Sequence, residues 1–328
     1  MKRLWLCLFV CLLPCVSCAP AEPVSAATFC ADTVVTLQAY NAPEEALREV
    51  LAACVQYAAA FDPHAEGSDV WRINHANGAP VAVSGAVIEA LQTAQRVSTL
   101  SGGAFDITIA PVSALWDFSG EAAALPDAQA IAAATEKVDY TKLIIEGNTV
   151  ALPDGMRIDL GGVAKGYIAD ATVRLCRARG IKSGVLDMGG NVAIVGAKPN
   201  GEPWRVGIRN PADPYGQSAI TLTAEGGSVV TSGVYMRGFD LDGVRYHHIL
   251  DAKTGYPVQN GLASVTVLAN DGALADALST ACMALGEKEG MALLNVMPEA
   301  EGIFILRDGT IRYTDGAAAY IPSIPAAR

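Results

Sequence analysis

The chain has 328 residues, of which 51% are hydrophobic and 17% charged, and its formal net charge is −11. This composition belongs to a folded globular protein with enough apolar material for a sizeable core. The acidic balance and the lack of a basic stripe argue against a nucleic-acid-binding surface.

Residues 1–18 have the organisation of an export signal. Lys2 and Arg3 provide the positive start, and residues 4–13 form an apolar run that is too short to span a bilayer. The run ends in a sequence that resembles a bacterial lipobox, with Cys18 as the lipidated residue. We expect an exported lipoprotein held to the membrane by a lipid at Cys18, with ordinary signal cleavage as the alternative. Residues 19–28 are rich in Ala, Pro and Ser and predict a tether.

Four of the eight cysteines lie in this leader, and the others are Cys30, Cys54, Cys176 and Cys282. Most of the latter lie in apolar stretches, so we expect buried cysteines that act as small hydrophobic residues. A long chain with few cysteines argues against a disulfide scaffold, although one bridge is left open for an exported protein.

The remaining sequence mixes helical and strand patterns. Helices are predicted over residues 43–61, 84–97, 127–136, 163–179, 272–285 and 290–297. A loop is expected at 100–104. Strands are predicted over residues 32–40, 142–145, 149–152, 157–160, 185–196, 204–209, 218–223, 228–231, 245–250, 263–268, 302–306 and 311–314. No regular alternation of strand and helix occurs, which favours a single α+β domain over residues 29–328, with mixed or antiparallel sheets.

Common nucleotide motifs are absent from the sequence. In residues 161–167 (GGVAKGY), Lys165 is followed by Gly166 rather than by the hydroxyl residue of a P-loop. Neither a G-x-G-x-x-G dinucleotide fingerprint nor a G-x-S-x-G elbow occurs. A nucleotide would therefore be bound in another way.

Asp276 and Thr280 are four residues apart in a predicted helix, so both lie on one face. A carboxylate and a hydroxyl are oxygen ligands of the kind that Mg²⁺ prefers. The spacing alone is equally that of an exposed aspartate beside a threonine bonded to its own backbone.

His247 and His248 fall in a predicted strand, so their side chains point to opposite sides. One of them is a candidate general base, because imidazole titrates near neutral pH. The alternative is a pair of packed or surface histidines.

Two glycine-containing turns are candidates for ligand contact. Asp159 precedes a Gly-Gly pair that opens a predicted helix, where a ligand can approach backbone amides. Residues 102–106 (GGAFD) place an aromatic ring and a carboxylate on a glycine loop, which suits either a flat heterocycle or a cap on the next element.

Six stretches together resemble the ApbE-type FAD:protein FMN transferases. They are residues 102–116 (GGAFDITIAPVSALW), 158–170 (IDLGGVAKGYIAD), 186–196 (LDMGGNVAIVG), 231–239 (TSGVYMRGF), 248–257 (HILDAKTGYP) and 275–280 (ADALST). They occur in order over nearly all of residues 31–307. The family moves the FMN half of FAD to a Ser or Thr hydroxyl of an exported flavoprotein, uses Mg²⁺ and releases AMP.

The resemblance implies a role for each matching position. His248 would act as the base and Arg237 would support phosphate charge. Mg²⁺ would be held by the carbonyl of Gly162 with Asp276 and Thr280. The FAD site would be lined by Ala104, Phe105, Asp106, Asp159, Lys165 and Ile249.

Three functions are compatible with these residues. The first is transfer of FMN from FAD to an exported flavoprotein. The second is an FAD pyrophosphatase, in which water takes the place of the acceptor hydroxyl and FMN and AMP are released. The third is a flavin-binding lipoprotein without catalytic activity.

Overall fold

The computed structural model describes residues 22–119, 124–213 and 215–322. The predicted leader and Cys18 lie outside these residues. The helices are α1 (Glu44–Phe61), α2 (Asp69–Asn74), α3 (Gly85–Leu100), α4 (Ala110–Ser113), α5 (Ala128–Thr135), α6 (Ala164–Ala178), α7 (Gly272–Leu285) and α8 (Glu287–Asn295). Two 3-10 helices span Tyr140–Lys142 and Asp315–Tyr320.

The strands are β1 (Val24–Cys30), β2 (Thr33–Ala39), β3 (Val81–Ala82), β4 (Ile144–Glu146), β5 (Thr149–Ala151), β6 (Gly184–Met188), β7 (Asn191–Gly196), β8 (Trp204–Ile208), β9 (Ile220–Ala224), β10 (Gly227–Gly233), β11 (Gly238–Leu241), β12 (Val244–His247), β13 (Leu262–Ala269), β14 (Ala300–Leu306) and β15 (Ile311–Tyr313). Eight of them form one antiparallel sheet in the order β1-β2-β6-β7-β10-β13-β14-β15. Smaller sheets pair β11 with β12, β8 with β9, and β3, β5 and β4.

The large sheet separates two apolar cores. Helices α1, α3, α6 and α7 pack on one face and form the main core, in which Leu37, Leu91 and Phe304 are fully buried. The β8–β9 pair covers the other face, where Leu222 and Ile303 are buried. Complete burial of one such side chain contributes about 1.5–3 kcal/mol to the stability of the fold. The helices on this face are therefore held rigidly against the sheet. The predicted α+β fold is confirmed.

Local chemistry explains the helix starts. Ser84 accepts the backbone N–H of Val87 at the start of α3, and Asp127 accepts that of Ala130 at the start of α5. Gly180 has φ +79 and follows α6, as the sequence predicts for a residue just beyond a helix end. No helix among the residues described above is long and apolar enough to cross a membrane.

Three predicted elements are corrected by the structure. Residues 24–28 of the predicted tether belong to β1, which pairs with β2 along its full length. The single strand predicted over 185–196 is a hairpin of β6 and β7, because Gly189 and Gly190 adopt φ of 61 and 99 and turn the chain.

The strand predicted over 157–160 forms only an isolated bridge at Arg157. The reason is that the Asn74 side chain takes the place of a neighbouring strand. Its amide oxygen accepts the N–H of Ile158 at 2.7 Å, and its amide nitrogen donates to the carbonyl of Ile158 at 2.9 Å. Asp69 to Asn74 form α2, which sequence analysis did not predict.

Candidate active site

The first part of the site lies where the segment before α6 meets α7. A Cβ atom added to Gly162 would lie 2.9 Å from Cε2 of Phe105 and 3.3 Å from Oγ1 of Thr280. Three residues that are far apart in the sequence therefore meet at one point, and only glycine fits there without displacing a neighbour. The predicted metal residue Thr280 thus faces the predicted metal residue Gly162.

Asp276, one turn earlier than Thr280 on α7, contacts the first turn of α6. Its side chain is 3% exposed, and its Oδ2 accepts the backbone N–H of Gly166 at 2.9 Å. Gly166 is in the first turn of α6, where N–H groups lack partners within the helix, and Val163 at the N-cap provides no side-chain acceptor. Asp276 therefore caps α6 from a neighbouring helix.

Two further hydroxyl groups surround Thr280. Oγ of Ser232, at the end of β10, lies 3.2 Å from Oγ1 of Thr280 and 2.7 Å from Oγ of Ser279. Sequence analysis gave Ser232 no role, although it lies in the matching stretch 231–239. The hydrogen bond with Ser232 restricts the rotation of the Thr280 hydroxyl, and Ser279 in turn holds Ser232.

The glycine loop 101–106 is held by its own aspartate. Oδ1 of Asp106 accepts the N–H and the hydroxyl of Thr108 at 2.8 and 2.7 Å, and Oδ2 accepts the N–H of Tyr140 at 2.9 Å. Burial raises the pKa of this carboxyl above its usual value. Asp106 thus anchors the loop. The buried ring of Phe105 lies beside Gly162, and Ala104 is half-buried at the loop surface.

Asp159 orders the segment that leads into α6. Its Oδ1 accepts the N–H of Gly161 at 2.8 Å, and its Oδ2 accepts the hydroxyl of Ser113 at 3.0 Å. Its own N–H donates to the carbonyl of Ile107 at 2.7 Å, which ties this segment to the loop of Phe105. Lys165 donates from Nζ to the carbonyl of Gly161 at 3.4 Å, so its ammonium group lies over the Gly-Gly turn.

The two histidines have different surroundings. His247 is fully buried at the end of β12, with its Nε2 2.9 Å from the carbonyl of Val258 and its Nδ1 3.3 Å from the N–H of Ile249. Nε2–H therefore donates and Nδ1 accepts, which is the pattern of a neutral imidazole. Burial lowers its pKa to about 4, so His247 is a structural residue at neutral pH.

His248 is half-buried and lies on the other side of the strand end. Its Nδ1 lies 3.4 Å from the carbonyl of Arg237, which can only accept, so Nδ1 carries the proton and the lone pair is on Nε2. Desolvation lowers the pKa of His248 to about 4, and the positive charges of Lys165 and Arg237 act in the same direction. His248 is therefore neutral near pH 7 and has a free basic nitrogen.

Arg237 and Ile249 hold the histidine in place. The backbone N–H of His248 donates to the carbonyl of Arg237 at 3.3 Å, and the guanidinium of Arg237 lies 3.6 Å from the carboxylate of Asp32 in the β1–β2 turn. Ile249 is 4% exposed and belongs to the main core, so it backs His248 from inside.

The structure thus brings most of the predicted residues into one region. Phe105 and Thr280 lie beside Gly162, and Asp276 contacts Gly166 one turn further along α6. The charge of Lys165 connects this group to His248. The side chain of Asp106 is used by the protein itself. The guanidinium of Arg237 is held by Asp32. A further aspartate, Asp170, reaches the start of α7 and was not predicted as a site residue.

The donor set fits Mg²⁺. Within the three described stretches, no group of three His, Cys, Asp or Glu side chains could hold a metal ion. The predicted set needs only one such side chain, Asp276, together with the hydroxyl of Thr280 and a backbone carbonyl. Asp276 uses Oδ2 to cap α6, which leaves its other oxygen as a ligand. Mg²⁺ typically takes few protein oxygens and fills its octahedron with water and phosphate.

Known proteins share both the sequence and the fold. A model of the ApbE family matches residues 31–304. An FAD:protein FMN transferase of Treponema pallidum is 35% identical over 83% of this chain and 80% of its own, and one of Klebsiella pneumoniae is 34% identical over 84% and 87%.

Two solved structures have the same fold as this chain. The ApbE protein of Thermotoga maritima superposes with a TM-score of 0.84 at 29% identity and covers 92% of this chain and 100% of its own. The flavin transferase ApbE of Vibrio cholerae gives a TM-score of 0.82 at 27% identity, with the same coverage.

Proposed function

The chain belongs to the ApbE family, and we propose that it attaches the FMN half of FAD to a Ser or Thr hydroxyl of an exported flavoprotein and releases AMP. Transfer of flavin from FAD to a protein is the activity named for relatives that are 34–35% identical over most of the chain. The acceptor hydroxyl, the released AMP and the need for Mg²⁺ are the finer parts of the proposal.

The proposed function is supported most strongly by one feature of the site. The carboxylate of Asp276 and the hydroxyl of Thr280 reach the start of α6 at Gly166 and Gly162, and the positive charge of Lys165 in the same helix acts on the neutral imidazole of His248. Breaking a pyrophosphate requires neutralisation of its charge, and activating a hydroxyl requires a base. Both requirements are met by residues of this one region.

His248 acts on the acceptor. Nε2 takes the proton of the acceptor hydroxyl while the hydroxyl oxygen forms a bond to the phosphorus on the FMN side of FAD. The bond from that phosphorus to the bridging oxygen breaks, and the bridging oxygen leaves with AMP. The carbonyl of Arg237 keeps the proton on Nδ1 and so keeps Nε2 available.

Asp276, Thr280 and the carbonyl of Gly162 are the residues that would hold Mg²⁺, which when bound neutralises charge on the pyrophosphate oxygens. The ring of Phe105 packs beside Gly162 and offers an apolar wall. Lys165 adds a positive charge over the Gly-Gly turn, where phosphate oxygens are favoured by the end of the helix.

We also propose that the protein is exported and anchored by a lipid at Cys18. The support is the leader sequence alone, with its positive start, short apolar run and cysteine at the end. A mass spectrum of the mature N-terminus tests this point. A diacylated Cys18 supports the proposal, whereas a mature chain that begins after Cys18 without lipid overturns it.

The activity is tested by incubating the protein with FAD and Mg²⁺, with and without a flavoprotein domain that carries a flavinylation site. Mass spectrometry should show the acceptor heavier by one FMN unit and an equal amount of AMP. AMP and free FMN without acceptor would indicate the pyrophosphatase, and FAD binding without turnover would indicate a binding protein.

Variants connect the activity to the proposed residues. His248→Ala should lower the rate about 10²–10⁴-fold, the usual contribution of a general base. Asp276→Ala should remove the response to Mg²⁺. His64→Ala is the control, because His64 is exposed and lies outside the site. Unchanged labelling by both His248→Ala and Asp276→Ala would sink the proposed mechanism.

A further inference from the structure

Helices α6 and α7 begin with the same short pattern. Residues 166–170 read GYIAD and residues 272–276 read GALAD, so each helix has a glycine in its first turn and an aspartate four residues later. Four residues in a helix bring the aspartate to the same face as the glycine, one turn further on.

The two patterns cap each other. Asp276 of α7 accepts the N–H of Gly166 at 2.9 Å, and Asp170 of α6 accepts the N–H of Gly272 at 2.6 Å. We call this pair of hydrogen bonds the reciprocal cap. Asp170 also lies 3.4 Å from the N–H of Ala273. Each aspartate thus satisfies first-turn donors that its partner helix cannot satisfy internally.

The backbones are as close as two helices can come. A Cβ atom added to Gly166 would lie 2.0 Å from the carbonyl oxygen of Gly272, and one added to Gly272 would lie 3.0 Å from the carbonyl oxygen of Gly166. Neither position admits a larger residue without separating the helices. The relative position of α6 and α7 is therefore fixed by the reciprocal cap and by direct backbone contact.

The reciprocal cap contains one proposed metal ligand, Asp276, and lies one turn from the other two, Gly162 and Thr280. Gly162 precedes Gly166 by four residues, and Asp276 and Thr280 follow Gly272 by one and two turns. A shift of α7 along α6 would change the separation of Gly162 and Thr280 directly. Mg²⁺ requires nearly ideal octahedral distances, so its binding is sensitive to such a shift.

We propose that Asp170 is a positioning residue, which fixes α7 against α6 and thereby sets the spacing of Gly162, Asp276 and Thr280 for a divalent cation. The inference rests on the proposed metal site. The hydrogen bonds of Asp170 among the described residues go to Ser228, Gly272 and Ala273, and not to the proposed metal ligands. Asp170 acts through the N–H groups of Gly272 and Ala273, and its Oδ1 is in turn held by Oγ of Ser228 at 3.4 Å.

A control for simple helix capping exists in the same helix. Asp271 is the ordinary N-cap of α7, and its Oδ1 accepts the N–H of Leu274 at 2.9 Å. It caps α7 from within the same segment and makes no hydrogen bond to α6 in the described part of the chain. Asp271→Asn and Asp170→Asn therefore both weaken the start of α7, but only the second change affects the link between helices.

The experiment measures the binding of Mn²⁺ to the protein in the absence of FAD, from the electron paramagnetic resonance signal of the free ion. Asp170→Asn should weaken Mn²⁺ binding about 10–100-fold, as is usual when a residue that orients metal ligands is changed. Asp271→Asn should change it less than about twofold, since its capping role is local. Equal Mn²⁺ affinities of the two variants would overturn the inference.

A milder variant covers the case in which Asp170→Asn does not fold. Ser228→Ala removes a hydrogen bond to Oδ1 of Asp170 and keeps the carboxylate, so Mn²⁺ binding should weaken about twofold or more while the fold is retained. Unchanged binding by Ser228→Ala in that case counts against the inference. A wild-type protein that binds no Mn²⁺ would instead refute the proposed metal site, so the two failures are distinguishable.

A different observation concerns two cysteines on the other side of α6. Sγ of Cys30, the last residue of β1, lies 3.8 Å from Sγ of Cys54 in α1, and both side chains are buried. The turn that follows Cys30 carries Asp32, whose carboxylate is 3.6 Å from the guanidinium of Arg237. A link between β1 and α1 would therefore stabilise the hairpin that contacts Arg237.

We infer that Cys30 and Cys54 form a disulfide when the protein folds with a low-molecular-weight disulfide such as oxidised glutathione. Each thiol gives up one proton and one electron as the sulfur–sulfur bond forms, and the glutathione disulfide is reduced to two thiols. The exchange takes place before the two sulfurs are buried. The bond closes a segment between residues 24 apart, which restricts the unfolded chain.

Peptide mapping without reductant tests this link. The protein is refolded with oxidised and reduced glutathione, alkylated in denaturant and digested. A linked pair of peptides containing Cys30 and Cys54 is expected, with a Tm above that of the reduced protein. Cys282 is a buried cysteine of α7 and serves as the control, so Cys282→Ser should keep the link between Cys30 and Cys54. Cys54→Ser should abolish the link. Full alkylation of both Cys30 and Cys54 would overturn the inference.

Discussion

Substitution of Gly162 by alanine is the most direct test of the site geometry. The added Cβ would lie 2.9 Å from Cε2 of Phe105, 3.3 Å from Oγ1 of Thr280 and 3.5 Å from its Cγ2. An ordinary contact of such atoms is longer than about 3.4 Å, so the segment before α6 must move by several tenths of an ångström. The Phe105 ring is 5% exposed and has little room to move aside.

The displacement falls on the proposed metal ligands. It separates the carbonyl of Gly162 from the hydroxyl of Thr280, and Mg²⁺ tolerates little change from distances of about 2.0–2.1 Å. Overpacking of this kind typically costs about 1–3 kcal/mol, which corresponds to about 5–150-fold in a binding constant. We expect the Mg²⁺ concentration for half-maximal transfer to rise by about tenfold or more, with a modest fall in Tm.

The matched control is the preceding glycine. A Cβ atom added to Gly161 would approach only Oδ1 of Asp159, at 3.1 Å, and that is the end of a side chain. Gly161→Ala should therefore leave the Mg²⁺ requirement within about twofold of the wild-type value. Both variants are assayed by titrating Mg²⁺ at saturating FAD and measuring FMN on the acceptor by mass spectrometry.

If Gly162→Ala and Gly161→Ala have the same half-maximal Mg²⁺ concentration, the carbonyl of Gly162 and the hydroxyl of Thr280 do not share a metal ion. Loss of transfer by Gly162→Ala with unchanged Mg²⁺ affinity would instead place the effect on the FAD site beside Phe105.

Three further predictions follow from charge and hydrogen bonding. The imidazole of His248, followed by NMR in the free protein, should stay neutral down to about pH 4. Lys165→Met should raise the pKa of His248, because the ammonium group of Lys165 is one cause of its low value. An unchanged pKa would show that Lys165 is not close to His248. Burial raises the pKa of the Asp170 carboxyl from 3.8 to about 6, so the folded protein binds the carboxyl proton more tightly than the unfolded chain does. Proton binding therefore stabilises the fold at low pH, and this stabilisation is lost as the pH rises from about 4 to 6. The neutral amide introduced by Asp170→Asn does not titrate, so the Tm of this variant relative to that of the wild type should increase as the pH rises over this range. A decrease in this difference would contradict the raised pKa of Asp170. Asp106→Asn should lower stability by about 1–3 kcal/mol in denaturant unfolding, because an amide cannot accept all three hydrogen bonds of the carboxylate, and an unchanged midpoint would contradict its anchoring role.

The sequence predicted the elements that have strong local signals. Helix α3 begins after Ser84 and α6 ends before Gly180, as capping chemistry indicated. The hairpin of β6 and β7 was missed because the residues on both sides of Gly189 and Gly190 continue one apolar run. Strand β1 was missed because its composition is that of a tether, and its stability comes from pairing with β2.

The candidate site was predictable only in part for a similar reason. The spacing of Asp276 and Thr280 places them on one face of a helix, but no local pattern shows that this face meets Gly162, which is more than a hundred residues earlier. The family resemblance supplied that association. The resemblance did not show that the carboxylate of Asp106 accepts hydrogen bonds from Thr108 and Tyr140, because the orientation of this side chain depends on tertiary contacts.

The surroundings of His248 connect substrate binding to the proposed chemistry. In the free protein, burial is the main cause of the low pKa of His248, and the charges of Lys165 and Arg237 lower it further, but a base with a pKa of about 4 is weak. In the proposed mechanism, the negative charge of the FAD pyrophosphate would lie near these cations, which would offset their part of the effect and raise the pKa of His248. We therefore expect His248 to be a stronger base when FAD is bound than in the free protein. The same two cations would attract an anionic substrate to this acidic protein, so in the proposed mechanism one arrangement of charges serves both binding and catalysis.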